Sequence, residues 1–108
     1  MITVKEFFNK GKKGPNHQAM AVRCDTLDQA RRLMVMFHQE GALWQDGEQY
    51  SPDDPYWNER FNCYSNNGGR CPEEWYHGNN IKVIPFNELT TTDMAHFMLY
   101  NPDTHEWC

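Results

Sequence analysis

The sequence predicts an α+β fold: a small, mainly antiparallel sheet with one main helix, about 26–40, packed on a face, plus short N- and C-terminal helices. Three observations lead there. Thr26–Gly41 has helical apolar spacing between a start signal and a stop signal. Segments 19–24 and 60–65 alternate apolar and polar residues, as half-buried strands do. After the second of them stands Asn66-Asn67-Gly68-Gly69, a hairpin turn signal.

Each element follows from its own residues. Thr3-Val4-Lys5-Glu6 is a capping box ahead of Phe7 and Phe8, which predicts a helix over 4–10. Gly11, Gly14 and Pro15 end it and begin a loop. In 19–24, Met20, Val22 and Cys24 share the inward side. Thr26 offers the next cap, with Gln29 three residues on. Leu27, Ala30, Leu33, Met34 and Phe37 then recur at helical spacing, and Gly41 is the expected left-handed stop. His38 lies near the helix C-terminus, where the helix dipole favours a protonated imidazole.

Ala42–Asp46 reads as a returning strand before the Asp46-Gly47 turn. Pro52 and Pro55 make 51–55 a surface loop. Arg60–Ser65 is a strand with Phe61 and Cys63 facing in, and Pro72 cuts off a short partner strand at 69–72. Glu73–Gly78 is a turn or a single helical turn. Ile81–Phe86 is the most apolar strand, and Pro85 indicates that it lies at an edge or ends there. Met94, Phe97 and Met98 fit a helix over about 93–100, with a frayed tail from Asp103.

The 108 residues make one domain, 1–108, with its core in 19–89. The longest uncharged apolar run, Leu33–Phe37, is too short to span a bilayer, and 1–14 lacks the apolar segment of a secretion signal. The expectation is a cytoplasmic protein with no membrane partner, whose four cysteines are reduced.

Composition and spacing argue against most chemistry. No C-x-x-C pair joins Cys24, Cys63, Cys71 and Cys108, so no metal is expected. Nucleotide-binding glycine loops and hydrolase or metalloprotease motifs are absent, so no cofactor and no enzymatic activity are expected. Cys71 with His77 six residues on is the only thiol–base pairing worth noting, and sequence proximity is not geometry. Charge is uneven. Residues 1–39 hold seven basic and three acidic residues, whereas 40–108 hold three basic and twelve acidic ones. Aromatics interleaved with acids argue against direct binding to duplex DNA.

The order Cys24-Asp25-Thr26, Gln29-Ala30, His38-Gln39-Glu40-Gly41, Trp44, Asn62-Cys63-Tyr64, Trp75-Tyr76 and Ile84-Pro85-Phe86 through Leu89 resembles a layout of small phage- and prophage-encoded accessory domains. It covers about residues 19–89. The resemblance implies a mobile-element protein in a bacterial host cytoplasm that binds a host protein, such as a defence factor or nuclease it inhibits. It carries no catalytic residues across.

From Glu40 to Glu59 six acidic residues stand with no lysine or arginine, among Tyr50, Tyr56 and Trp57. This is the composition of a binding surface, with Tyr50, Asp53, Asp54 and Tyr56 as expected contacts. The alternative for the aromatics is that they pin a long loop to the core. A second functional expectation is a module for a nucleotide-like small ligand, built from Trp57, Arg70 and Tyr76.

Overall fold

The computed structural model describes residues 2–15, 17–90, 100–101 and 106–107. The element order is β1 (Ile2–Thr3), α1 (Val4–Lys10), β2 (Met20–Arg23), α2 (Leu27–Gln39), β3 (Cys63–Ser65), β4 (Arg70–Cys71), α3 (Glu73–Gly78), β5 (Lys82–Pro85), a 3-10 turn (Phe86–Glu88), β6 (Leu89–Thr90), β7 (Tyr100–Asn101) and β8 (Glu106–Trp107). The fold is α+β.

Both predicted caps form. Thr3 Oγ1 accepts from Glu6 N at 3.1 Å, and Thr26 Oγ1 accepts from Gln29 N at 3.1 Å. Gln29 Oε1 reaches back to accept from Asp25 N at 2.8 Å. Gly41 is left-handed, with φ 76°. The buried face of α2 is wider than expected, because Val35 and Met36 join Ala30, Leu33, Met34 and Phe37, while Leu27 is exposed. Phe37 of the expected face meets α1, where Phe7 stacks on it with centroids 5.7 Å apart. Burial lowers the His38 pKa and outweighs an opposing hydrogen bond with the Tyr50 backbone, so the protonated imidazole expected at this position is disfavoured.

The main sheet has the order β4-β3-β2-β5. β2–β3 and β3–β4 are antiparallel, but β5 runs parallel to β2, with Val22 opposite Ile84. The main sheet is mainly antiparallel, as expected, with one parallel pair at its β5 edge. The reason lies in α3. β3 runs antiparallel to β2 after the long excursion through α2, the β3–β4 hairpin reverses the chain again so that β4 is parallel to β2, and a helix that crosses a sheet face brings the chain back in the same direction. β5 therefore enters the far edge of β2 in parallel. The two faces carry different clusters. Met20, Val22, Tyr64 and Ile84 meet α2, whereas Ala21 and Cys63 meet Tyr76 of α3.

The expected strand 42–46 does not form. Leu43 makes only an isolated bridge to Gln49 around the Asp46-Gly47 turn. Its backbone lies against the hairpin turn instead, with Gln45 N donating to Gly68 O at 3.2 Å. The flanking strands are shorter than expected, and Glu73–Gly78 is a full helix. Outside the main sheet, β1 pairs parallel with β6, Ile2 opposite Leu89. Of the expected helix 93–100, residues 93–99 lie outside the described residues, and Tyr100 begins β7 instead. The expected frayed tail contributes Glu106–Trp107, antiparallel to β7. Among the described residues no helix is long and apolar enough to cross a membrane.

Candidate functional site

The acidic segment after α2 is turned partly inside out relative to its polarity. Tyr50 is 1% exposed, tilted on Trp44 at 4.4 Å and edge-on to Phe37 at 5.0 Å. It is a core residue and drops out of the expected contact set. Pro52 and Pro55 are buried as well, while Asp53, Asp54 and Tyr56 point outward. Proline and tyrosine carry enough apolar surface to hold a polar loop down.

Three consecutive residues are then pinned from three directions. Tyr64 of β3 donates its hydroxyl to Pro55 O at 2.7 Å in a buried bond. Arg70 of β4 donates Nη1 to Tyr56 O. The Trp57 indole donates Nε1 to Cys24 O at 2.8 Å, at the end of β2. Trp57 is thus an anchor. Replacing it with phenylalanine keeps most of the apolar contact but strands the Cys24 carbonyl. The expected loss is about 1–2 kcal/mol, measured by urea unfolding; a loss below a few tenths would contradict the pinning role.

Held at both neighbours, Tyr56 takes φ 55° and stays 54% exposed. A bulky residue with left-handed backbone is a genuine outlier. Its ring stands edge-on to Trp44 at 5.7 Å. Its hydroxyl hydrogen-bonds the Asp54 carboxylate, which raises the phenol pKa, and the charges of Asp54, Glu48 and Asp46 push it the same way. Arg70 lies over the rings of Phe61 and Tyr56, at 5.1 and 5.9 Å from their centroids. A cleft of about 520 Å³ opens beside this tyrosine, bordered by Trp44, Asp46, Glu48, Asp54 and Arg70 among others. Its acidic groups face solvent, while its one bordering arginine is already engaged with the loop.

The set Trp57, Arg70 and Tyr76 does not converge. Trp57 spends its N–H on Cys24, and Arg70 spends Nη1 on Tyr56. Tyr76 is 2% exposed beneath α3. Arg70 and Tyr76 both border a smaller cavity of about 310 Å³ beside Cys71 and Trp75, but Trp57 does not. His77 faces Glu73, Nε2 to Oε2 at 3.1 Å, and that carboxylate also meets Arg23 at 3.4 Å. Nothing here pairs His77 with Cys71. Among the described residues no group of three or more His, Cys, Asp or Glu side chains could hold a metal.

Two residues that matter were not singled out from sequence for this role. Trp44 falls inside the expected strand 42–46, and in the fold it borders the cleft instead. Asn66 was read as a turn residue. In the fold its amide donates to Phe7 O and Gln18 O and accepts from Met20 N. No local signal distinguishes Asn66 from Asn67, because the three partners lie 46 to 59 residues away.

Compared with protein-family models, curated protein sequences and solved structures, the chain gives no significant match to any of them. The site has to be read from its own geometry.

Proposed function

We propose that this protein is a non-enzymatic binding module whose Trp44–Tyr56 cleft takes a basic, arginine- or lysine-bearing segment of a partner protein. The observation that carries the reading is Tyr56: half-exposed, in a left-handed conformation, and held there by bonds to its own carbonyl, its hydroxyl and both neighbouring residues. Unfavourable backbone of this kind costs about 1–3 kcal/mol and persists only where the surroundings over-determine it. Presenting a fixed aromatic side chain removes ordering cost at the moment of binding. Tyrosine is also a favoured anchor of interfaces.

The charges around it indicate the partner's sign. Asp46, Glu48 and Asp54 rim the cleft, with Asp53 beside them on the loop. They would attract a cation and place it over an aromatic face, a contact worth about 0.5–2 kcal/mol. The resemblance to phage accessory domains supports a host protein as the source of that segment.

The test is a titration of a short arginine-rich peptide against tryptophan fluorescence, since Trp44 borders the cleft. Saturable binding is expected, weakened by salt, with an acidic peptide of equal length inert. Tyr56→Ala and Asp54→Lys should each weaken binding about tenfold or more, the size of an interface anchor. Equal affinity in both variants, with unchanged thermal midpoints, would remove this surface from consideration.

A further inference from the structure

We propose that Cys63 and Cys71 form a reversible cross-strand disulfide, with Cys71 the sulfur that a peroxide oxidises first. The two residues are direct partners in the β3–β4 register, so their side chains stand on one face of the sheet. The identity of that face matters. Cys63 belongs to the cluster beneath α3, and Cys71 packs against the same cluster. Cys24 belongs to the main core on the other face, so it does not compete for either sulfur.

Distance permits the bond. Ser65 N donates to Gly69 O at 3.0 Å, which makes that pair hydrogen-bonded. By the alternation of antiparallel ladders, Cys63 and Cys71 are a hydrogen-bonded pair too, with Cα atoms about 5.5 Å apart. That lies inside the roughly 4.4–6.8 Å that disulfides span. Cβ atoms of such pairs stand up to about 5.5 Å apart, against about 3.8 Å in a disulfide. One strand must therefore move in by more than an ångström. β4 is suited to do so: it has two residues, pairs on one side only among the described residues, and is followed by Pro72. A bond made with such a displacement is strained and easily reduced, which is what reversibility requires.

Access separates the roles. Cys63 is 0% exposed, and burial, with the Glu73 carboxylate adding to it, pushes its thiol up to about 12. Cys71 is half-buried and borders the 310 Å³ cavity beside Trp75. A small oxidant reaches Cys71 first. Its thiolate attacks one peroxide oxygen, the O–O bond breaks, and hydroxide leaves to give the sulfenic acid. The Cys63 sulfur then attacks the Cys71 sulfur, the S–O bond breaks, and the departing hydroxide takes the Cys63 proton as water. Two thiols lose two electrons and two protons in total, and hydrogen peroxide becomes two waters.

The test uses the full chain, reduced and folded, with dilute hydrogen peroxide, followed by alkylation, digestion and mass spectrometry. The expected principal product is one cross-linked peptide joining Cys63 to Cys71, lighter by two hydrogens than its parts and split by dithiothreitol. Cys63→Ala should leave Cys71 to proceed to sulfinic acid, whereas Cys71→Ala should leave Cys63 an unmodified thiol. Wild-type mapping needs no variant to fold. A wild-type product in which Cys71 is over-oxidised while Cys63 stays free would overturn the proposal. So would a principal cross-link to Cys24 or Cys108.

Discussion

Asn66→Ala is expected to destabilise the protein by about 4 kcal/mol, since it abandons three backbone groups at once, two of them in buried bonds and one in a part-buried bond. The side chain is inside the hairpin turn, 6% exposed. Its Nδ2 donates to Phe7 O at 3.0 Å and Gln18 O at 2.9 Å, and its Oδ1 accepts from Met20 N at 3.2 Å. One amide therefore joins the β3–β4 turn, the end of α1 and the start of β2. Each group left unpaired costs about 1–3 kcal/mol, and stabilities of domains this size are about 5–15 kcal/mol. A large share of the total is at stake. The measurement is the urea midpoint at unchanged slope, and a loss under about 1 kcal/mol would show that water replaces the amide.

Asn66→Asp sharpens the same test. It keeps the acceptor for Met20 N but points a carboxylate at two carbonyl oxygens. Burial and those oxygens raise the carboxyl pKa in the folded state. With the folded pKa above the unfolded one, the protonated form is favoured by folding, so the stabilising share is complete at low pH and is lost as pH rises through the folded pKa. This variant should therefore be more stable in mild acid than at neutrality, relative to wild type across the same range. A flat difference would contradict the placement of the amide.

Gly68→Ala is the second large effect, expected at about 3 kcal/mol. Gly68 has φ 87°, and a Cβ there would sit 2.7 Å from Gln45 N and 2.9 Å from Leu43 O. Both neighbours are backbone, so the segment 43–45 would have to move bodily. Left-handed backbone alone costs a non-glycine residue roughly 1–2 kcal/mol; the rest is steric. Gly47 supplies the control, with φ 87° and no atom within 4 Å of the same Cβ position. Gly47→Ala should show only the backbone part, about 1 kcal/mol. Thermal melts of the pair separate the two contributions. Because Trp44 lies in the displaced segment, Gly68→Ala should also alter its fluorescence, whereas Gly47→Ala should not. Equal losses in both variants would show that the contact with 43–45 carries no energy.

The helices were legible because their signals are local. Thr3 with Glu6, and Thr26 with Gln29, satisfy helix N–H groups within one turn. Apolar spacing then marks the face of α2 whatever it packs against. Period-two alternation likewise reveals β2. The site was legible only in outline. Asp54 and Tyr56 fall on the surface as their composition indicates, but Tyr50, from the same acidic stretch, is in the core. Burial of one tyrosine and exposure of the next depend on what stands opposite each. Trp44 and Phe37 cover Tyr50; Arg70 and Asp54 hold Tyr56 out.

Read without coordinates, the residues decide the class of fold, the extents of α1 and α2 to within a residue, and the position of the β3–β4 turn. Each rests on contacts between residues a few positions apart. The tertiary structure alone decides that β5 lies parallel to β2, that 42–46 leaves the sheet to rest on Gly68, and that Cys63 faces Cys71. It alone fixes Tyr56 in a left-handed conformation. These depend on residues far apart in the chain: Pro55, Tyr56 and Trp57 are held by Tyr64, Arg70 and Cys24, and that convergence arises only once β2, β3 and β4 lie side by side.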